Sequence, residues 1–380
     1  MWKEFIQTQK IEKLYLSPSS LKFLKEKYDE IRMINPPPFS RVSLNSVVKG
    51  KMWNSIPSSI QSEIMNHPMI GSYYSVKGFD IFLFGDSLKT HKHAIRQIHN
   101  YLSFILPYCP IYCIKRISVF IYFTNDKKEL PPIPEQIIDT VHANTAFTTT
   151  CSFMNASDRE IIIFRKEEWF RVFIHETFHT FGLDFSSLTT TEANSVLKRT
   201  FLGASNIDDF ELYENYCEVC AELIHILFCV SSKSDINIYL SIETAFSLFQ
   251  WKKILNHYRI TYEDLIRKKT KYRENTSVLS YYGLKSTAFF YLDDFIHCFF
   301  LSKQNPFYFI KDRIHVMKYA EFFRKKCLSL EFRDKMREIT EITEMKEKKE
   351  KKNTKIGNRS DKGIDKRVPL EKTLRMTLME

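Results

Sequence analysis

Residues 159–185 read REIIIFRKEEWFRVFIHETFHTFGLDF. The first third is β-branched and closes on the charged run at 165–168; beyond it, aromatic and aliphatic residues recur at helical spacing. A strand over 159–166 therefore runs into a helix over 167–182. That helix is one of the most apolar stretches of the chain, yet it carries His175, Glu176 and His179.

Working outward, 78–86 (GFDIFLFGD) reads as a strand, 88–106 as a helix and 113–124 as a longer strand. Residues 129–134 form a proline-rich loop, and 141–154 is a second β-branched stretch separated from 159–166 by the turn-like NASD. Downstream the pattern is helical, over 210–231, 236–257, 261–269, 285–302 and 312–339. The expected class is α+β: a small mixed sheet with an active-site helix, followed by a mainly helical half. The expected division is a helical N-terminal region at 1–75, a main domain at 76–340 and a basic, disordered tail at 341–380. The closing stretch 374–378 is apolar enough to dock on the body instead.

Composition narrows the function classes. The chain has 380 residues, 44% hydrophobic and 14% aromatic, with only 9 glycines against 32 phenylalanines, and no GxGxxG or Walker A pattern. Helix-rich packing fits this balance better than a glycine-rich nucleotide-binding fold. Of the net charge of +11, residues 344–380 hold 12 Lys and Arg against 7 Asp and Glu. A nucleic-acid partner is not expected, apart from contact of this basic tail. The longest apolar region, 101–123, is broken by Pro107, Pro110, Lys115 and Arg116, so no membrane span is expected. The first residues carry no signal pattern, and an intracellular, cytoplasmic location is expected. The eight cysteines lie mostly in apolar runs and read as buried thiols without disulfides, the Cys217-x-x-Cys220 pair included. His91, His93 and His99, among lysine and arginine neighbours, read as surface residues.

His175 and His179 are four apart, which on a helix puts both imidazoles on one face, able to hold one cation. Glu176, beside the first, is placed to take a proton from water. Burial makes two histidines and a glutamate costly unless something satisfies them, and a cation does so directly. A third ligand must come from elsewhere. Residues 213–228 (YENYCEVCAELIHILF) offer Glu214, Glu218 and Glu222 on one helical stripe, and Asp184 follows the first helix closely.

The uncharged flanks of His175-Glu176-x-x-His179 make the sequence resemble the zincin metallopeptidases. In the metzincin branch the motif continues to a glycine, matched by Gly182, but its third-ligand slot falls on Phe185, which binds no metal. Glu218-x-x-Ala221-Glu222 resembles the gluzincin helix instead. That resemblance, over roughly residues 140–230, implies Zn2+ held by His175, His179 and Glu218, with Glu222 supporting a ligating histidine and Glu176 as general base. It also implies a tyrosine that stabilises the oxyanion, with Tyr213, Tyr216, Tyr281 and Tyr282 as candidates. An edge strand beside the helix, 144–150 or 160–165, would take an extended peptide; the second of these reads equally well as a central strand. A weaker resemblance is to uncharacterised predicted metallopeptidases of large DNA viruses, which would place the chain in host cytoplasm or virion. The expected function is zinc-dependent hydrolysis of a protein or peptide. The alternative is an inactive zincin-fold binding or scaffold protein with a structural zinc.

Overall fold

The computed structural model describes residues 5–6, 11–31, 34–36, 38–44, 50–151, 159–204, 206–301, 305–308, 310–339 and 370–379. Its centre is a six-stranded mixed sheet: β1 (Ser40–Val42), β2 (Ile70–Val76), β3 (Phe79–Gly85), β4 (Ile117–Tyr122), β5 (Ala146–Thr148) and β6 (Arg159–Ile163), in the order β1-β2-β3-β4-β6-β5. β3, β4 and β6 run parallel, while β1, β2 and β5 are antiparallel to their neighbours.

The strand alternation decides how the sheet is covered. Ile161 and Ile163 join Ile81, Leu83, Val119 and Ile121 in the main core. Ile162 turns the other way, with Phe84, Phe120 and Tyr122, onto a smaller cluster closed by Trp53, Ile56, Ile60 and Ile64. All five residues of β6 are buried, which makes 159–163 an interior strand and leaves β5 as the edge.

On the main-core side lie α1 (Pro18–Glu30), α3 (Leu88–Ile105) and α4 (Trp169–Thr180); α2 (Ser58–Asn66) covers the other face. The helical half follows: α5 (Thr191–Thr200), α6 (Leu212–Cys229), α7 (Ile236–His257), α8 (Tyr262–Arg267), a π-helical stretch Leu279–Leu284 leading into α9 (Lys285–Phe290), then α10 (Leu292–Phe299) and α11 (Arg313–Cys327). A mixed sheet followed by a mainly helical half is the expected class.

Several expectations need correcting. The boundary at residue 76 falls inside the β2–β3 hairpin, whose turn residues Lys77 and Gly78 both have positive φ, as a type I′ turn requires. Residues 370–379 are not a loose tail: all ten are buried apart from Glu371 and Lys372. The rest of that segment, 341–369, lies outside the described residues. Cys113 and Cys151, 38 residues apart, are disulfide-bonded, whereas Cys217 and Cys220 are buried thiols. His91 is fully buried and bonded to Ser72 Oγ at 2.8 Å, and His99 meets Tyr74 Oη at 2.5 Å; only His93 of that trio is exposed. No helix among the described residues is long and apolar enough to cross a membrane.

Candidate metal centre

Helix α4 is buried along its whole length from Phe170, so nothing on it points to bulk water and every polar side chain must find a partner inside. It begins at Glu168, whose left-handed backbone (φ 58°) is costly for a residue with a Cβ. The buried Glu168 carboxylate is held by Lys128 Nζ at 2.9 Å, which helps fix that turn. The helix ends in a Schellman cap: Gly182 (φ 65°) donates to the His179 carbonyl and Leu183 to that of Phe178. A Cβ on Gly182 would also lie 2.7 Å from Cys113 Sγ. The cap reverses the chain at once, and Asp184 is thereby returned to His179, its Oδ2 2.5 Å from Nδ1.

Helix α6 also starts on a left-handed glutamate, Glu211 (φ 45°), and lays Glu214, Glu218 and Glu222 along one stripe at i, i+4 and i+8. It packs against α4. Glu214 Oε2 lies 3.1 Å from His175 Nε2 and 3.5 Å from His179 Nε2, and the two Nε2 atoms are 3.1 Å apart. Glu218 reaches the far side of the same ring, Oε1 3.0 Å from His175 Nδ1, while its Oε2 takes Arg171 Nη1 at 2.5 Å. Glu222 is further along, bonded to Lys285 Nζ at 2.7 Å.

The carboxylate that meets both Nε2 atoms is thus Glu214, one of the carboxylates the stripe offers, one turn before Glu218. Glu218 lies on the Nδ1 side of His175, and Glu222 faces a lysine. The stripe repeats every turn, so Glu214–Glu218 and Glu218–Glu222 have the same spacing. The sequence held one discriminating signal, Lys285 and Arg171, cations that needed buried carboxylates.

Each imidazole has a carboxylate near Nδ1: Asp184 hydrogen-bonds that of His179, while Glu218 lies 3.0 Å from that of His175 without hydrogen-bond geometry. With both rings neutral and the proton on Nδ1, both Nε2 lone pairs would face Glu214 Oε2 and each other. Two protonated Nε2 atoms could not face one another at 3.1 Å. Burial would lower the His175 pKa, but Glu218 and Glu214 override it and raise it to about 9. Burial would likewise raise Glu214, and His179 and His175 instead hold it well below the usual carboxylate range. Both directions mark a place where positive charge is favoured. His179, Asp184 and Cys217 form a second close group, but Asp184 already occupies Nδ1, and burial pushes the Cys217 thiol up so that it stays neutral.

Glu176 is buried, which raises its carboxyl pKa. It lines a cavity of about 30 Å³ with His175, Glu218, Tyr281, Met376 and the stretch Ala143–Ala146 that leads into β5. Thr145 Oγ1, also on that wall, is buried and finds no hydrogen-bond partner among the described residues. Of the four tyrosines, Tyr281 lines the cavity, its ring 6.2 Å from that of His175. Tyr213 donates to Glu211, Tyr216 to the Phe307 carbonyl and Tyr282 to the Leu374 carbonyl. A larger cavity of about 490 Å³, lined by residues such as Leu14, Leu248 and Lys335, includes none of these site residues.

No family model, curated protein or solved structure matches the chain.

Proposed function

We propose that the chain is a zinc-dependent peptidase in which His175, His179 and Glu214 hold the ion and Glu176 is the general base. The observation that carries this reading is the triangle of donor atoms, with edges of 3.1, 3.1 and 3.5 Å. Tetrahedral ligands each ~2.0–2.1 Å from zinc lie about 3.3 Å from one another, so the three donors fit one ion without rearrangement. Nitrogen and carboxylate donors at this spacing suit zinc, and the Nδ1 carboxylates are the usual support for ligating histidines.

When bound, such an ion polarises a carbonyl and makes water acidic near neutral pH. The chain's own groups supply the rest. Glu176 accepts the proton of the attacking water and returns it to the departing amine. Its burial favours that role, because a carboxyl raised toward neutrality both takes and gives a proton. Tyr281, whose hydroxyl has no hydrogen bond among the described residues, is the phenol available to the oxyanion. β5, at the sheet edge with its outer backbone groups unpaired within the sheet, offers main-chain hydrogen bonds to an extended substrate.

A structural zinc in a binding protein is the second reading, and the narrowness of the cavity favours it. The two readings separate on Glu176→Gln, which removes a base and no ligand. The variant is to be compared with wild type for zinc by mass spectrometry and for cleavage of a quenched-fluorescence peptide library. The peptidase reading expects unchanged zinc and turnover lowered by ~10²-fold or more; zinc with no hydrolysis by either protein supports the structural reading.

A further inference from the structure

We infer that the groove holding residues 370–379 is a binding site for a bent peptide segment with large apolar side chains, which the chain's own segment occupies in cis. The inference starts from how that segment's main chain is held. Most backbone groups in a fold pair with other backbone. Among the described residues this segment does so with the rest of the chain at its start, where Leu130 N donates to the Lys372 carbonyl at 2.8 Å and Leu374 N to that of Lys128 at 2.9 Å.

Beyond that, buried side chains read the backbone. Glu168 Oε1 accepts Met376 N at 2.7 Å and Thr377 N at 2.5 Å, and Glu243 Oε1 accepts Leu378 N at 2.8 Å and Met379 N at 3.1 Å. Carbonyls are met by donors: Tyr282 Oη on Leu374 at 2.5 Å, Lys285 Nζ on Met376 at 2.6 Å, Lys253 Nζ on Leu370 at 3.0 Å, and Gln250 on Arg375. These contacts are blind to sequence, as a site for peptides in general requires. They also leave a floor of charged groups that water can solvate once the occupant leaves, which an apolar slot would not allow.

Specificity comes from the apolar side chains. Leu374 and Met376 enter the main core, and Leu378 joins Phe5, Ile242 and Phe246. Met376 also walls the cavity beside His175 and Glu176, its sulfur 3.1 Å from Arg171 Nη2. With Met376 in place the remaining 30 Å³ has room for a water or an ion and not for a peptide. Displacement of the segment would open that cavity. This last consequence rests on the metal-centre reading; the groove does not.

A tethered occupant competes at an effective concentration that reaches the millimolar range, so the test must cut the tether without removing the occupant. A specific protease sequence placed at 350–358 in the full chain allows this. On the cut protein, exchange of a fluorescein-labelled peptide of sequence 366–380 is followed by anisotropy, in wild-type and Glu176→Gln backgrounds, with zinc content and library cleavage measured in parallel. The expected result is saturable exchange, reversed by unlabelled peptide and weakened at least ~10-fold by M376D in the peptide, with circular dichroism unchanged after the segment is washed out. A segment that never exchanges, or whose loss unfolds the body, makes it an integral core strand and overturns the inference. Exchange without zinc or hydrolysis removes the peptidase reading alone; zinc and hydrolysis without exchange removes the groove alone.

Discussion

Two groups of buried carboxylates lie against helix α6 and are satisfied in different ways. Toward its end Glu222 faces Lys285 at 2.7 Å, and nearby Glu243 accepts the amides of Leu378 and Met379. Each acid there has a resident cation or N–H. Toward its start Glu214 meets the Nε2 atoms of His175 and His179, with Glu218 and Asp184 on the Nδ1 side of the two rings. The density of acid is similar. What differs is the partner: imidazoles, which can give up an Nε2 proton to a cation, in one group, and a lysine and backbone N–H groups, which cannot, in the other; on the proposed reading only the first takes an ion from outside.

The comparison breaks most sharply at the histidines. His175→Ala and His179→Ala should each take the zinc content from about one ion per chain to background, because two remaining donors do not hold a catalytic ion. Elemental analysis of the purified variants, with circular dichroism to confirm folding, decides it; both variants keeping their zinc would leave the convergent triangle without a purpose.

A graded effect should follow along the carboxylates. Glu214→Gln removes a ligand and should weaken zinc by more than ~100-fold, whereas Glu218→Gln and Asp184→Asn disturb only the orientation and basicity of a ligating ring, worth about 10–100-fold. Competitive titration against a chelator ranks the three. If Glu218→Gln is the most damaging, the register returns to the expected one and Glu214 becomes the supporting residue.

That register is also where the sequence stopped being legible. The pair His175 and His179 with Glu176 could be read because a helix fixes their mutual placement, and the strand at 159–163 because a β-branched run ahead of a helix has few other uses. The third donor of the proposed site comes from α6, and which turn of that helix faces the pair depends on tertiary packing against α4. An i, i+4 repeat of glutamates is indifferent to a one-turn slip. Strand β2 was not expected because Gly71, Ser72 and Ser75 dilute its alternation, and α5 because only Ala193, Val196 and Leu197 mark its apolar face. The Cys113–Cys151 bond joins segments whose proximity is set by the end of α4, with no trace in their local sequence. Residues 374–378 were legible as an apolar end, but the acids and lysines that hold the backbone of 370–379 are scattered from 168 to 285.

The smallest effect on the metal is expected at Glu222, and it tests the other side of the comparison. If the second group is a self-sufficient ion-pair network, Glu222→Gln should leave zinc affinity within about 2-fold, since two helical turns separate it from Glu214 and Lys285 stands between it and solvent. The same change leaves the Lys285 ammonium, 2% exposed, with the Met376 carbonyl, the new amide and the Phe289 ring but without the carboxylate that bonded it. Removing one member of a buried pair costs about 3–5 kcal/mol, so the unfolding midpoint should fall while the metal stays. Lys285→Met made together with Glu222→Leu should recover much of that loss, because the network is then replaced rather than broken. A variant that loses zinc in proportion to its stability would show that the two groups are one electrostatic unit, and that the identity of the partner does not separate them.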